Sequence, residues 1–257
     1  MEHPTEMPVT VLPGTTKRGE PERFDRIDIR PGDSISIVGP TGSGKTAFIN
    51  DIEVFAQSDT VTRRRVLVNG EPPSEELIRD PGCKPIAMIT QNTKCLADLS
   101  VERFLSMHVS TRRSAHDGIV QDTVDLANRF TGEKISSGMR MSALSGGQTR
   151  SLMIADAVMI SKAPILLLDE VENAGIYKDE VISHLKELRK AVLFVTHDPY
   201  VSMLSDRRIV MGGGEVLSVL EPGNSERAAL ARVREMDEEM SVLRERIRAG
   251  EIIGGVL

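Results

Sequence analysis

The sequence predicts an α/β fold with a mainly parallel sheet, and three observations carry that prediction. An apolar stretch, Ser34–Val38, runs straight into a glycine-rich turn and then into a helical pattern from Lys45 to about Phe55. A second apolar stretch, Pro164–Leu168, ends in two carboxylates, Asp169 and Glu170. Beyond it strand-like and helix-like stretches alternate, and such alternation builds a parallel sheet covered by helices on both faces. With 257 residues, 40% of them hydrophobic, the chain can bury a core of that kind.

The elements follow in order. Val9–Leu12 and Phe24–Ile29 read as short strands, the second alternating apolar with charged residues. Pro13-Gly14 and Pro31-Gly32 punctuate them as turns. Strands are expected at Val66–Asn69 and Ile86–Thr90. Helices follow at Val101–His108, with Ser100 as N-cap, and at Ala115–Phe130. This helical stretch interrupts the alternation and reads as a subdomain, about residues 98–160, inserted in a domain spanning residues 1–220. A helix from Gln148 to Ile160 closes it. Strands are expected again at Val192–Thr196 and Arg208–Met211, with a helix from Lys178 to about Arg189. Residues 221–257 form a helix and tail, in which Val233, Met236, Met240, Leu243 and Ile247 recur at three- and four-residue steps. That seam of about two heptads suits packing on the chain's own domain or on a partner.

Composition excludes several functions. Thirty-two basic against 38 acidic residues leave a net charge of -6, so no overall basic field holds a nucleic-acid backbone, and no nucleic-acid partner is expected. Aromatic residues make up 3% with no Trp, too few for base-stacking platforms. Cys83 and Cys95 form neither a disulfide framework nor a zinc site. The acidic, Pro-broken N-terminus lacks an apolar leader, and the apolar run Leu152–Ile160, interrupted by Asp156, falls short of the roughly 20 residues of a membrane helix. A cytoplasmic protein is expected, or one held at the inner face of a membrane through a partner.

The chemistry concentrates in a few motifs. Gly39-Pro40-Thr41-Gly42-Ser43-Gly44-Lys45-Thr46 has the P-loop spacing and lies between a strand and a helix. Its backbone N–H groups and the helix N-terminus suit a polyphosphate, Lys45 adds a point charge, and the Thr46 hydroxyl suits Mg²⁺. Asp169, at the end of its strand, is a second candidate Mg²⁺ group, and Glu170 a candidate general base for an attacking water. Leu144-Ser145-Gly146-Gly147-Gln148 opens a further helix and makes a second anion site through Ser145 and its glycines. One nucleotide does not need two such sites.

With that second motif the chain resembles the ATP-binding cassette (ABC) ATPases, whose signature sequence is LSGGQ. The resemblance spans about Val9 to Gly214. It implies a P-loop NTPase fold with a small antiparallel part and an inserted helical subdomain, ATP as substrate and Mg²⁺ as cofactor. It further implies that Ser145, Gly146, Gly147 and Gln148 face an ATP held by the P-loop of a second subunit. Gln91, after the strand ending at Thr90, matches the glutamine that touches Mg²⁺ and the attacking water. His197, after Val192–Thr196, matches the histidine that contacts the γ-phosphate. Two positions depart from the pattern. The only aromatic between Pro13 and Asp33 is Phe24, so no evident side chain stacks on adenine, and Arg18 is a candidate substitute. The Asp expected after the small-residue D-loop is Ile176.

These features define an expectation: an ATPase subunit that dimerises head to tail around two ATP, in a homodimer, and drives a membrane-spanning transporter partner. The alternative is a soluble ABC ATPase that energises a cytosolic protein complex of the cofactor or metallocluster assembly type.

Overall fold

A computed structural model describes residues 7–80, 82–90, 98–111, 117–170 and 175–254. Two sheets organise them. The strands β1 (Val9–Leu12), β2 (Ile27–Ile29) and β4 (Arg65–Val68) form an antiparallel sheet ordered β2-β1-β4. Six strands form the central sheet: β3 (Ser34–Val38), β5 (Ile86–Ile89), β6 (Ile165–Asp169), β7 (Ala191–Val195), β8 (Arg207–Gly212) and β9 (Glu215–Leu220). Their order is β5-β6-β7-β3-β8-β9, all parallel except β9, which returns antiparallel beside β8. The predicted class, mainly parallel with a small antiparallel part, is the observed one.

The inner strands are apolar on both faces because both are covered. Ile165, Leu167, Leu193 and Val195 pack with Ile35, Ile37 and the helix α1 (Lys45–Glu53), which contributes Phe48, Ile49 and Ile52. Their neighbours Leu166, Leu168, Val192 and Phe194 point the other way, to a second cluster. That cluster holds α3 (Val101–Ser110), α4 (Ile119–Arg129), α5 (Gly146–Met159) and α6 (Lys178–Glu187). The period of two in a strand thus assigns α1 and α5 to opposite faces of one sheet. A short helix α2 (Glu75–Arg79), a helix α7 (Pro199–Leu204) and a long α8 (Asn224–Arg248) complete the chain.

Boundaries differ from the expected ones for physical reasons. β2 begins at Ile27 rather than Phe24 because β1 offers only Val9–Val11 to pair with it, and Phe24 instead packs against the core. α4 begins at Ile119, where Gly118 takes φ 93° as N-cap; Ala115 lies outside the described residues. Three elements were not foreseen. α7 has a legible start, Asp198 as N-cap before Pro199, but is only six residues long. α2 is shorter still. β9 follows the turn at Gly213-Gly214 and carries an edge with Leu217 exposed. In α8 the seam is only partly covered: Val233 and Leu243 are half-buried, whereas Met236, Met240 and Ile247 stand about half exposed.

One ionic cluster joins the two sheets to α1. Arg64 is fully buried, and its guanidinium grips Glu22 through two hydrogen bonds (2.8 and 2.6 Å) and Asp51 of α1 at 3.0 Å. Glu22 also accepts the backbone N–H of Gly14 and of Val216 in β9, and Asp51 accepts the Thr62 hydroxyl. The guanidinium lies 5.1 Å from the Phe48 ring centroid. Every polar atom of Arg64 has a partner, which is the condition under which a buried charge is tolerated. Arg64→Met leaves two buried carboxylates without their cation, and the expected loss is about 3–5 kcal/mol in denaturant unfolding. Arg232→Ala, which removes an exposed pair with Glu235, should leave the same midpoint unmoved.

Candidate functional site

The site is built by strand register. Ile37 of β3 lies opposite Val195 of β7, and Val195 lies opposite Asp169 of β6. These three residues form one row across the sheet, so whatever follows each strand emerges at the same edge. After β3 come Gly39 to Thr46, after β6 Glu170, and after β7 Thr196 and His197. The row itself explains why residues 39–46, 169–170 and 197, far apart in sequence, meet at the carboxyl edge where open α/β sheets bind ligands.

The first loop has the shape of an anion cradle. Gly39, Gly42 and Gly44 have φ of 150°, 78° and 98°, values that favour glycine. At Gly39 a Cβ would lie 2.2 Å from the Met211 carbonyl oxygen, so packing as well as conformation demands glycine there. Ser43 Oγ is buried with no hydrogen-bond partner among the described residues, and Lys45 Nζ folds back onto the carbonyls of Gly39 (2.8 Å) and Pro40 (3.3 Å). An orphan hydroxyl and an ammonium parked on its own loop fit a polyphosphate, which would satisfy both. Pro40 and Thr41 complete the exposed rim, and Thr46, the second residue of α1, is exposed beside it.

Glu170 stands where the sheet ends. Its backbone N–H donates to the Val195 carbonyl at 2.9 Å, and its φ of 51° is unusual for a non-glycine residue. That turn brings Glu170 Oε1 within 3.2 Å of His197 Nε2. The contact requires the Nε2 proton, since a carboxylate only accepts. Asp169, one residue back, ends β6 half-buried. Among the described residues no group of three or more His, Cys, Asp or Glu could hold a metal ion by itself. Thr46 and Asp169 fit Mg²⁺ of the kind that keeps waters and takes phosphate oxygens, with few protein ligands. Gln91 falls outside the described residues.

The second anion motif lies elsewhere. Ser145 caps α5 in a reciprocal box: its hydroxyl accepts the Gln148 N–H (3.2 Å) and its own N–H donates to Gln148 Oε1 (2.9 Å). Gln148 Nε2 also donates to the Lys134 carbonyl, and the residue is buried. The exposed part of the motif is therefore Gly146, with Ser145 half-buried beside it, while Gly147 and Gln148 face inward. Because α5 covers the face of the sheet opposite α1, this helix start does not share the α1 cradle. Ile176 is buried in the α3–α6 cluster, which explains an apolar residue at that position; Val171 to Ala174 lie outside the described residues.

Beside the cradle is a hollow of about 480 Å³, lined by Thr15, Thr16, Lys17, Gly44, Val61 and Arg63 among others. Sequence reasoning selected Arg18 for this place and missed its neighbour. Arg18 does not line the hollow, whereas Lys17 does, and Lys17 Nζ donates to the Gly42 carbonyl at 3.0 Å. The basic pair Lys17-Arg18 was the available signal; which of the two turns inward is a property of the loop. No aromatic ring lines the hollow.

Comparison with known proteins bears on the family and the fold. The family model described as ABC transporter matches residues 25–173. An uncharacterized ABC transporter ATP-binding protein of Methanocaldococcus jannaschii is 45% identical over 243 residues, covering 95% of this chain and 93% of that one. A spermidine/putrescine import ATP-binding protein of Nitratidesulfovibrio vulgaris is 30% identical over 223 residues; the match covers 82% of this chain but 58% of that protein. A dimeric ATP-binding cassette in a post-hydrolysis state, bound to ADP and Pi, shares the fold with a TM-score of 0.63 at 24% identity, over 84% of this chain and 99% of that one. Without a stacking ring, discrimination between ATP and GTP should stay under about tenfold, or ~1.4 kcal/mol. Competition binding on wild-type and Arg18→Ala protein checks this, with no change expected from Arg18→Ala.

Proposed function

The chain belongs to the ABC transporter family as an ATP-hydrolysing subunit, and from that premise we propose that two copies close head to tail around two ATP and thereby drive a membrane-spanning partner. No helix among the described residues is long and apolar enough to cross a membrane. The observation that carries the proposal is the placement of two anion sites on opposite faces of one sheet. The cradle on α1 has a carboxylate and an imidazole at its edge, whereas the Ser145 helix start belongs to α5, on the other face of the sheet. A site split in this way is complete only when one copy's Ser145 and Gly146 reach the phosphate held by the other copy.

In this mechanism the N–H groups of residues 39–46 and the Lys45 ammonium hold the β- and γ-phosphates. Lys45 leaves the Gly39 and Pro40 carbonyls to do so. Thr46 and Asp169 would hold Mg²⁺, with Gln91 a further candidate from its place in the sequence, and the ion would supply charge neutralisation at the phosphates. Glu170 takes a proton from the attacking water as its oxygen bonds to the γ-phosphorus; the bond from that phosphorus to the β,γ-bridging oxygen breaks, and its electron pair leaves with ADP. His197 Nε2–H, which rests 3.2 Å from Glu170 Oε1, turns to donate to the γ-phosphate when ATP is bound, leaving the Glu170 carboxylate to accept from the water. The reading as the motor of a cytosolic complex draws no support from the relatives, both of which carry transporter names.

Two experiments test the proposal. Glu170→Gln should bind ATP as the wild type does while turnover falls by a factor on the order of 10² or more, measured as phosphate release. Lys45→Ala should instead weaken ATP binding itself. The second test mixes subunits. Ser145→Arg alone should bind ATP and fail to hydrolyse it, yet combined with Lys45→Ala subunits it forms heterodimers in which one composite site is intact, and phosphate release should reappear. Wild-type turnover by Ser145→Arg alone would refute the head-to-tail arrangement.

A further inference from the structure

The long C-terminal helix is tied to the site by charge. Lys178, at the start of α6, donates to an Asp198 carboxylate oxygen and to both carboxylate oxygens of Asp237 on α8, at 3.2 and 3.0 Å. All three side chains are largely buried, at 15%, 13% and 24% exposure. Burial acts to lower the pKa of the Lys178 ammonium, but the bonds and charges of Asp198 and Asp237 outweigh it and hold it above the ordinary value. Asp198 directly follows His197 in the chain. Its other oxygen caps α7, accepting the N–H of Tyr200 at 2.8 Å and of Val201 at 3.4 Å, and its own N–H donates to Thr196 Oγ1 at 2.9 Å. The loop carrying His197 is thus pinned through Asp198.

Two further ties hold α8. Arg234 bonds Asp179 (2.8 Å), which also accepts the Tyr200 hydroxyl (2.6 Å), and Glu226 pairs with Arg208. Beyond Asp237, α8 bonds outside itself through Arg246 to Glu251, just past its own end, and among the described residues no ion pair there reaches another helix or strand. Asp237 is therefore the last tie of the helix to another element and the one that leads to the histidine loop.

We propose that Asp237 is a positioning residue for His197, acting through Lys178 and Asp198. The physical reason is the sharing of one ammonium. With Asp237 present, Lys178 is held between two carboxylates and pulls Asp198 toward α6 along a fixed line. Without it, the partly buried ammonium has one carboxylate left and follows that one, so the loop start is no longer anchored to two helices. The inference rests on the reading of His197 given above, and the test separates the two.

Asp237→Asn keeps size and loses the charge. Its kcat for ATP should fall about five- to tenfold while KM changes by less than about twofold. Asp237→Glu should recover most of the rate. Glu226→Gln, which loosens the same helix at its other end, should hydrolyse ATP at the wild-type rate. A general weakening of α8 would instead lower Asp237→Asn and Glu226→Gln together, and that result overturns the proposal. So does an unchanged kcat in Asp237→Asn, or a Glu variant no better than the Asn one. A cycle with His197→Ala completes the test: once the imidazole is gone, Asp237→Asn should have no further effect. If His197→Ala is slow and Asp237→Asn slows it again by the same factor, the positioning role fails while the role of His197 stands. A His197→Ala enzyme with wild-type turnover overturns both.

Discussion

The parallel pairing of β3, β7 and β6 is the constraint on which the rest of this molecule depends. Parallel strands share one carboxyl edge, and the register Ile37, Val195, Asp169 puts three loop starts in a line along it. The phosphate cradle, the carboxylate and the imidazole are local solutions that work only because that line exists. Slippage by one residue in β7 would also exchange Val192 and Phe194 for Leu193 and Val195 between the two hydrophobic clusters. The core therefore protects the alignment of the site, and a single arrangement of apolar residues secures both.

Strain and charge are placed around this line in a consistent way. Glu170 turns out of its strand at a positive φ and is fixed by its bond to Val195, so its carboxylate is aimed before any ligand arrives. Lys45, by contrast, is held on carbonyls it must leave. One group is preorganised and the other is exchangeable, as the proposed roles of general base and phosphate-following cation require. The second helix start is stabilised by its own capping box and needs no ligand to keep its shape.

Much of this was legible in the sequence, and the reasons are physical. The strand Ser34–Val38 and the start of the following helix at Lys45 emerged as read, because five apolar or small residues bounded by turn glycines leave little choice. Ser100 capped its helix as expected, and Ser145 capped α5. What sequence could not supply was orientation. The Ser-x-x-Gln spacing of Ser145 and Gln148 does carry the capping signal, but Lys17-Arg18 gives no hint that the first residue and not the second enters the hollow. Nothing in the Arg63-Arg64-Arg65 run distinguishes its middle residue, yet that residue is fully buried. Its partners Glu22 and Asp51 lie 42 and 13 residues away, a distance over which pattern carries no signal.

That buried arginine also bears on how such a sequence can drift. Arg64, Glu22 and Asp51 satisfy one another in a volume closed to water. Apolar replacement of all of them together can leave a protein as stable as before, whereas replacement of any one strands a charge. Single substitutions therefore lead downhill in fitness from every side, although a cheaper solution lies beyond. A cluster of this kind, at the junction of two sheets and the helix that follows the glycine-rich loop, is thus open to replacement as a set and closed to replacement one residue at a time.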